Sequence, residues 1–83
     1  MSYFVYILEC NDGTLYTGIT KDIEKRLDEH NNKDKGAKYT KARRPVKLLY
    51  EEKAENRSLA SKREYSIKKL SRVKKLQLIN KSL

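Results

Sequence analysis

Eighty-three residues with one cysteine, no tryptophan and a formal net charge of +9 exclude several classes of protein at once. A chain this short buries roughly 60% of its unfolded surface, so one domain spanning 1–83 with a small core is expected, without an internal repeat. Cys10 has no partner for an internal disulfide, which suits a reducing compartment. The longest apolar run, Tyr3 to Leu8, falls far short of the roughly 20 residues a bilayer requires. The N-terminus carries no basic-then-apolar segment of the kind that directs secretion, so the expected location is cytoplasmic.

The charge is unevenly spread. Residues 1–32 sum to −3, 33–48 to +6, 49–55 to −2 and 56–83 to +8. The cations therefore sit in a central segment and at the C-terminal end, and a polyanion is the natural partner, nucleic acid ahead of a membrane surface. A solubilising surface is the plain alternative.

Tyr3 to Leu8 is dense in aromatic, β-branched and aliphatic residues, as in a strand buried on both faces. Asn11-Asp12-Gly13 is a turn signal, and Thr14 to Ile19 alternates as a second strand, giving an antiparallel hairpin. A three-residue loop pairs Leu8 with Tyr16 and Tyr6 with Gly18, placing both tyrosines on one face; a two-residue loop at Asp12-Gly13 separates them. Glycine at the last loop position suits a left-handed bulge residue and favours the first register. Gly18 within a strand suggests a close approach of backbone or ligand.

Asp22 to Asn31 reads as a helix, with Thr20 or Asp22 as its cap and Ile23, Leu27 and His30 along its apolar stripe. Asn32 to Pro45 is a polar loop, and a loop of about a dozen residues in a compact domain is usually functional or disordered. Val46 to Tyr50 is a third strand. Asn56 caps a second helix bearing Leu59, Ala60, Arg63, Ile67 and Leu70, which ends at Lys68 to Ser71, and Arg72 to Asn80 forms a third. The expected fold is α+β, a small three-stranded antiparallel sheet packed with helices in the order ββαβαα.

Some polar residues fall where a core would not want them. Tyr6 interrupts the most apolar strand, and Tyr16 sits in its hairpin partner. With Ile23 at zero, about 100° per residue puts His30 near −20° and Arg26 near −60°, inside or beside the stripe that faces the sheet. Glu64 is the one acid among nine cations in residues 56–83 and lies one turn beyond Ala60. Each has an ordinary alternative: tyrosines pack strands, a semi-buried histidine is commonplace, Arg26 can pair with Glu24, Asp22 or Asp28, and Glu64 with Lys68.

Taken together and in this order, Val5-Tyr6-Ile7, Tyr16-Thr17-Gly18, Arg26, His30 and Glu64 resemble the GIY-YIG nuclease family, from Tyr3 to about Leu70. The segment Gly36 to Thr40 and the Arg43-Arg44-Pro45 run look like its small single-domain branch of uncharacterised proteins. Val5 stands where the name-giving motif has glycine, and Thr17 where it has isoleucine. The resemblance implies an endonuclease that hydrolyses phosphodiester bonds, in DNA more than RNA. Glu64 would hold one divalent metal, Mg²⁺ or Mn²⁺, alongside water and a phosphate oxygen. Arg26 would clamp the scissile phosphate with its planar, permanently charged fork. Tyr6 and Tyr16 would orient or deprotonate the attacking water with His30 assisting, and Asn80 is a further candidate from the last helix. Tyrosine titrates near 10 and histidine near 6.5, so His30 is the better base unless Arg26 and nearby lysines lower a tyrosine strongly; both assignments stay open.

Phosphate contacts are expected from Lys38, Tyr39, Lys41, Arg43 and Arg44 in the loop and from Arg72, Lys74 and Lys75 on the last helix. The chain is expected to act as a monomer away from membranes, with targeting left to a partner protein. Arg26, His30 and Glu64 are expected to converge on the face that carries both tyrosines. The rival reading is a non-catalytic nucleic-acid-binding module of the same fold; an RNA-bound basic protein would account for the charge but not for Glu64.

Overall fold

The computed structural model describes residues 2–81. In chain order it contains β1 (Tyr3–Glu9), β2 (Leu15–Thr20), α1 (Ile23–Asn32), a single-turn α2 (Lys38–Lys41), β3 (Lys47–Ala54), α3 (Arg57–Lys68) and α4 (Arg72–Lys81). The strands form one antiparallel sheet in the order β2-β1-β3, which is the expected α+β fold.

The hairpin adopts the three-residue loop. The Cys10 N–H donates to the Thr14 carbonyl at 2.8 Å, Gly13 has φ +83°, Leu8 pairs with Tyr16 and Tyr6 with Gly18. An odd loop puts Tyr6 and Tyr16 on one face, because side chains alternate with period two.

As the central strand, β1 is covered on both sides, and Val5, Tyr6, Ile7 and Leu8 are all buried. Val5 and Ile7 pack against Ala60 and Ile67 of α3 and Ile79 of α4. Tyr6, Leu8 and Cys10 face the other way, with Tyr16, Leu48 and Val46, beneath Ile23 and Leu27 of α1. The sheet thus lies between α1 and the α3–α4 pair. Each fully buried valine, isoleucine or leucine contributes roughly 1.5–3 kcal/mol, so both layers help hold β1.

Caps set the helix limits. The Asp22 carboxylate accepts from the Lys25 N–H at 3.1 Å, and the Asn56 side chain accepts from the Leu59 N–H at 2.9 Å. Asp22 is therefore the cap of α1 rather than its first residue, and the helix runs to Asn32. Two further departures from expectation have physical causes. The segment 32–45 holds α2, whose apolar signal is too brief for periodicity to register. β3 continues past Tyr50 to Ala54 because Tyr50 to Ala54 pair with Ile7 to Tyr3 of β1, although Glu51-Glu52-Lys53 breaks its apolar run. Glu52 is accommodated there by Arg63, whose Nε donates to both carboxylate oxygens at 3.1 and 2.9 Å, and by the Tyr50 hydroxyl.

Candidate active site

The site is built outward from Tyr6. Its ring lies across Gly18: a Cβ there would sit 2.5 Å from the hydroxyl oxygen and 2.7 Å from Cζ, so any larger residue would displace the ring. The hydroxyl lies 2.8 Å from His30 Nε2, and His30 is 0% exposed. Tyr16 stands over the same imidazole edge-on, with ring centroids 5.2 Å apart, and 6.5 Å from the Tyr6 ring. Tyr39 of α2 stacks on Tyr16 at 6.0 Å, and the Arg43 guanidinium covers Tyr39 at 3.9 Å. Thr17, between the two motif residues, points to the opposite face. Its buried hydroxyl finds no partner among the described residues, a local cost of having threonine there.

His30 is held from both nitrogens. Opposite Tyr6, its Nδ1 lies 2.8 Å from the Thr40 hydroxyl, which donates to the Ala37 carbonyl at 2.9 Å. Burial, followed by the charge of Arg26, lowers the imidazole to about 4. Burial also pushes Tyr6 up to about 12, against the pull of the neighbouring Arg26, and the Tyr16 and Glu64 charges push it the same way as burial. At neutral pH both partners are uncharged. Burial works against the Arg26 charge, but contacts with Glu29 and Tyr6 outweigh it and hold its pKa above the ordinary value.

Arg26 donates to Glu29 at 2.9 Å and to the Lys35 carbonyl at 2.9 Å. Its acidic partner is thus Glu29 rather than Asp22, Glu24 or Asp28. Glu64 is 23% exposed and lies 3.4 Å from Lys68. Ala60 and Ile67 of α3 pack on the Val5–Ile7 face, and the Glu64 charge from the same helix acts on Tyr6. Among the described residues no group of three or more His, Cys, Asp or Glu could hold a metal ion. A lone, partly exposed carboxylate fits a hard cation such as Mg²⁺ that keeps most of its waters. Glu64 is the residue that could hold it.

Of the expected phosphate-contacting residues, Lys38, Tyr39, Lys41, Arg72 and Lys74 are exposed and Lys75 half-buried; Asn80 is exposed on α4. Arg43 is tied to Asp12 at 3.0 Å as well as to Tyr39. Arg44 is turned inward: its guanidinium donates to the carbonyls of His30, Glu29 and Lys33, closing the C-terminal end of α1. Sequence reasoning missed Thr40 and Glu29. Thr40 carries the one hydroxyl of the serine–threonine type in the basic segment 33–48, which was a usable signal.

The sheet gathers two tyrosines, a neutral histidine and an arginine on one face, between β1–β2 and α1. The chain belongs to the GIY-YIG family: the model of the GIY-YIG catalytic domain matches residues 2–77. It is 61% identical over 79 residues to a UPF0213 protein of Syntrophus aciditrophicus, covering 95% of this chain and 91% of that one. A UPF0213 protein of Desulfotalea psychrophila is 57% identical over 98% of this chain and 74% of its own length. Among solved structures, protein EF2693 of E. faecalis superposes with a TM-score of 0.67 at 46% identity, covering 98% of this chain and 85% of that one. The UPF0213 protein BH0048 of Bacillus halodurans gives 0.61 at 45% identity, covering 96% and 84%. No described helix is long and apolar enough to cross a membrane.

Proposed function

We propose that this domain is a metal-dependent endonuclease that hydrolyses phosphodiester bonds in nucleic acid, DNA in preference to RNA. The observation that carries the reading is the buried Tyr6–His30 hydrogen bond of 2.8 Å beside the Arg26 guanidinium. The Thr40 hydroxyl gives its single proton to Ala37, so it accepts from His30 Nδ1–H. His30 Nε2 is then left with a lone pair, and Tyr6 is the donor. A water held at the Tyr6 oxygen passes its proton to Tyr6 as it attacks phosphorus, while the Tyr6 proton moves to Nε2. Neither residue has to ionise beforehand, and the negative charge of a bound phosphate raises the basicity of His30 from its depressed value.

Arg26 stabilises the charge that grows on the phosphate oxygens, next to the hydroxyl that guides the water. A divalent metal at Glu64 would supply Lewis-acid stabilisation of the phosphate and leaving oxygen. The exposed Lys38, Lys41, Arg72 and Lys74 supply the salt-sensitive hold on the backbone. A non-catalytic binding module draws its support from the Glu64–Lys68 pair, which already occupies the carboxylate. One experiment separates the two: nicking of plasmid, branched and single-stranded substrates with Mg²⁺ or Mn²⁺, beside Glu64→Gln. Metal-dependent nicking by the parent alone supports the nuclease; binding without nicking on every substrate supports the module.

A further inference from the structure

We infer that Thr40 is a positioning residue that selects the Nδ1–H tautomer of His30 and so keeps Nε2 free to take the Tyr6 proton. The inference rests on the proposed nuclease reading for its kinetic consequence, but the tautomer itself is a property of the folded chain.

The geometry leaves few alternatives. His30 is 0% exposed, so water does not choose its tautomer; its two partners do. At Nε2 the partner is a tyrosine hydroxyl, which can donate or accept and therefore imposes nothing. At Nδ1 the partner is Thr40, 0% exposed, whose hydroxyl sits 2.9 Å from the Ala37 carbonyl one turn back. That carbonyl has no proton to give, so the threonine proton goes to it and the threonine oxygen faces His30 as an acceptor. Direction then propagates: Nδ1–H to Thr40, Tyr6 O–H to Nε2. Reversing the chain would make Nε2–H a donor to Tyr6, and the base would no longer have a lone pair for the proton it must receive.

The position of Thr40 is fixed independently of the imidazole. Its N–H donates to Ala37 at 3.1 Å, and α2 is held by Tyr39 stacked on Tyr16 and by Arg43 donating to the Tyr39 carbonyl at 2.9 Å. Adjacent residues of one short helix therefore each touch a different ring of the candidate site.

The test is direct because the chain has one histidine, giving one pair of imidazole nitrogens. Nitrogen-15 NMR at neutral pH is expected to show Nδ1 protonated and Nε2 bare in the parent. Thr40→Val removes the acceptor without much change of shape, and Nε2 should become the protonated nitrogen. In the nicking assay kcat should fall about 10²-fold, the low end of a general-base contribution, with KM nearly unchanged. Thr40→Ser should restore both tautomer and rate. A parent imidazole protonated on Nε2 overturns the inference whether or not any variant folds. So does a Thr40→Val protein that keeps the parental tautomer, or one that switches tautomer at full kcat. If the parent cleaves nothing, the nuclease reading fails, and the spectrum of the parent still decides which nitrogen Thr40 protects.

Discussion

The Tyr6 hydroxyl and His30 Nε2 lie 2.8 Å apart in the layer between the sheet and α1, both side chains buried and both uncharged at neutral pH. A pair arranged this way acts as one unit. Tyr6→Phe and His30→Ala are each expected to lower kcat by ~10²–10⁴-fold, the range of a general acid–base contribution. The double variant should be little worse than the poorer single one, because each substitution already breaks the same relay. Kinetic measurement of the cycle decides this, and strictly multiplicative losses would show that the two residues act separately.

His30 also sets a pH dependence of stability. Its folded value of about 4 lies below the 6.5 of the unfolded chain, so between these limits the unfolded state binds the extra proton. Stability is therefore full above about pH 6.5 and declines as pH falls toward 4, by roughly 2–3 kcal/mol over the window. Urea midpoints at pH 7.0 and 5.0 check the sign. His30→Gln should flatten the slope between pH 5 and 6.5, where few carboxylates titrate.

Gly18→Ala tests the packing of the tyrosine. The new methyl group would meet the Tyr6 hydroxyl at 2.5 Å, so the ring must swing away and lose its bond to His30. Overpacking of this kind costs typically about 1–3 kcal/mol. The nicking rate should drop toward that of Tyr6→Phe, while the far-ultraviolet circular dichroism spectrum stays the same. A fully active, fully stable variant would contradict the close approach.

Glu64→Gln is expected to remove metal-dependent nicking while leaving nucleic-acid binding in place. Glu64 is the one carboxylate in residues 56–83, and loss of a metal anchor costs several kcal/mol of transition-state stabilisation. Binding should tighten slightly, since neutralising an acid adds to a net charge of +9. Gel-shift and nicking assays on one preparation separate the two effects.

The two kinds of cation should part company. Lys38→Glu with Lys41→Glu should weaken binding to all sequences alike and flatten its salt dependence, because both side chains are exposed. Arg44→Ala should instead lower stability, by about 1–3 kcal/mol, through the α1 carbonyls it leaves bare. Salt titrations of affinity set beside urea midpoints make the comparison.

What the sequence made legible is local. Asn11-Asp12-Gly13 fixed the hairpin register through loop length, and helical spacing put Arg26 and His30 against the sheet. What it hid depends on contacts between distant segments. Arg44 and Lys38 look alike as letters, and only the meeting of residue 44 with the end of α1 makes one of them internal. Thr40 reads as one polar residue in a polar loop until the fold brings it to a histidine ten positions earlier. Glu64 was recognisable as an isolated acid, yet helical spacing carries no information about which side of a sheet a helix crosses. β3 outran its apolar run because the polar residues of an edge strand find partners that periodicity does not see.

β1 sends Tyr6 and Leu8 to one core and Val5 and Ile7 to the other, so chemistry and architecture interleave along a single strand. Such a strand can change one letter at a time, and each change is felt mainly on one side. Its length is another matter. One residue inserted or deleted between Leu8 and the hairpin loop would exchange the two sides, delivering valine and isoleucine to the histidine and tyrosine to the aliphatic core. The stretch from Tyr6 to Cys10 is therefore a counted quantity, fixed by parity as much as by composition.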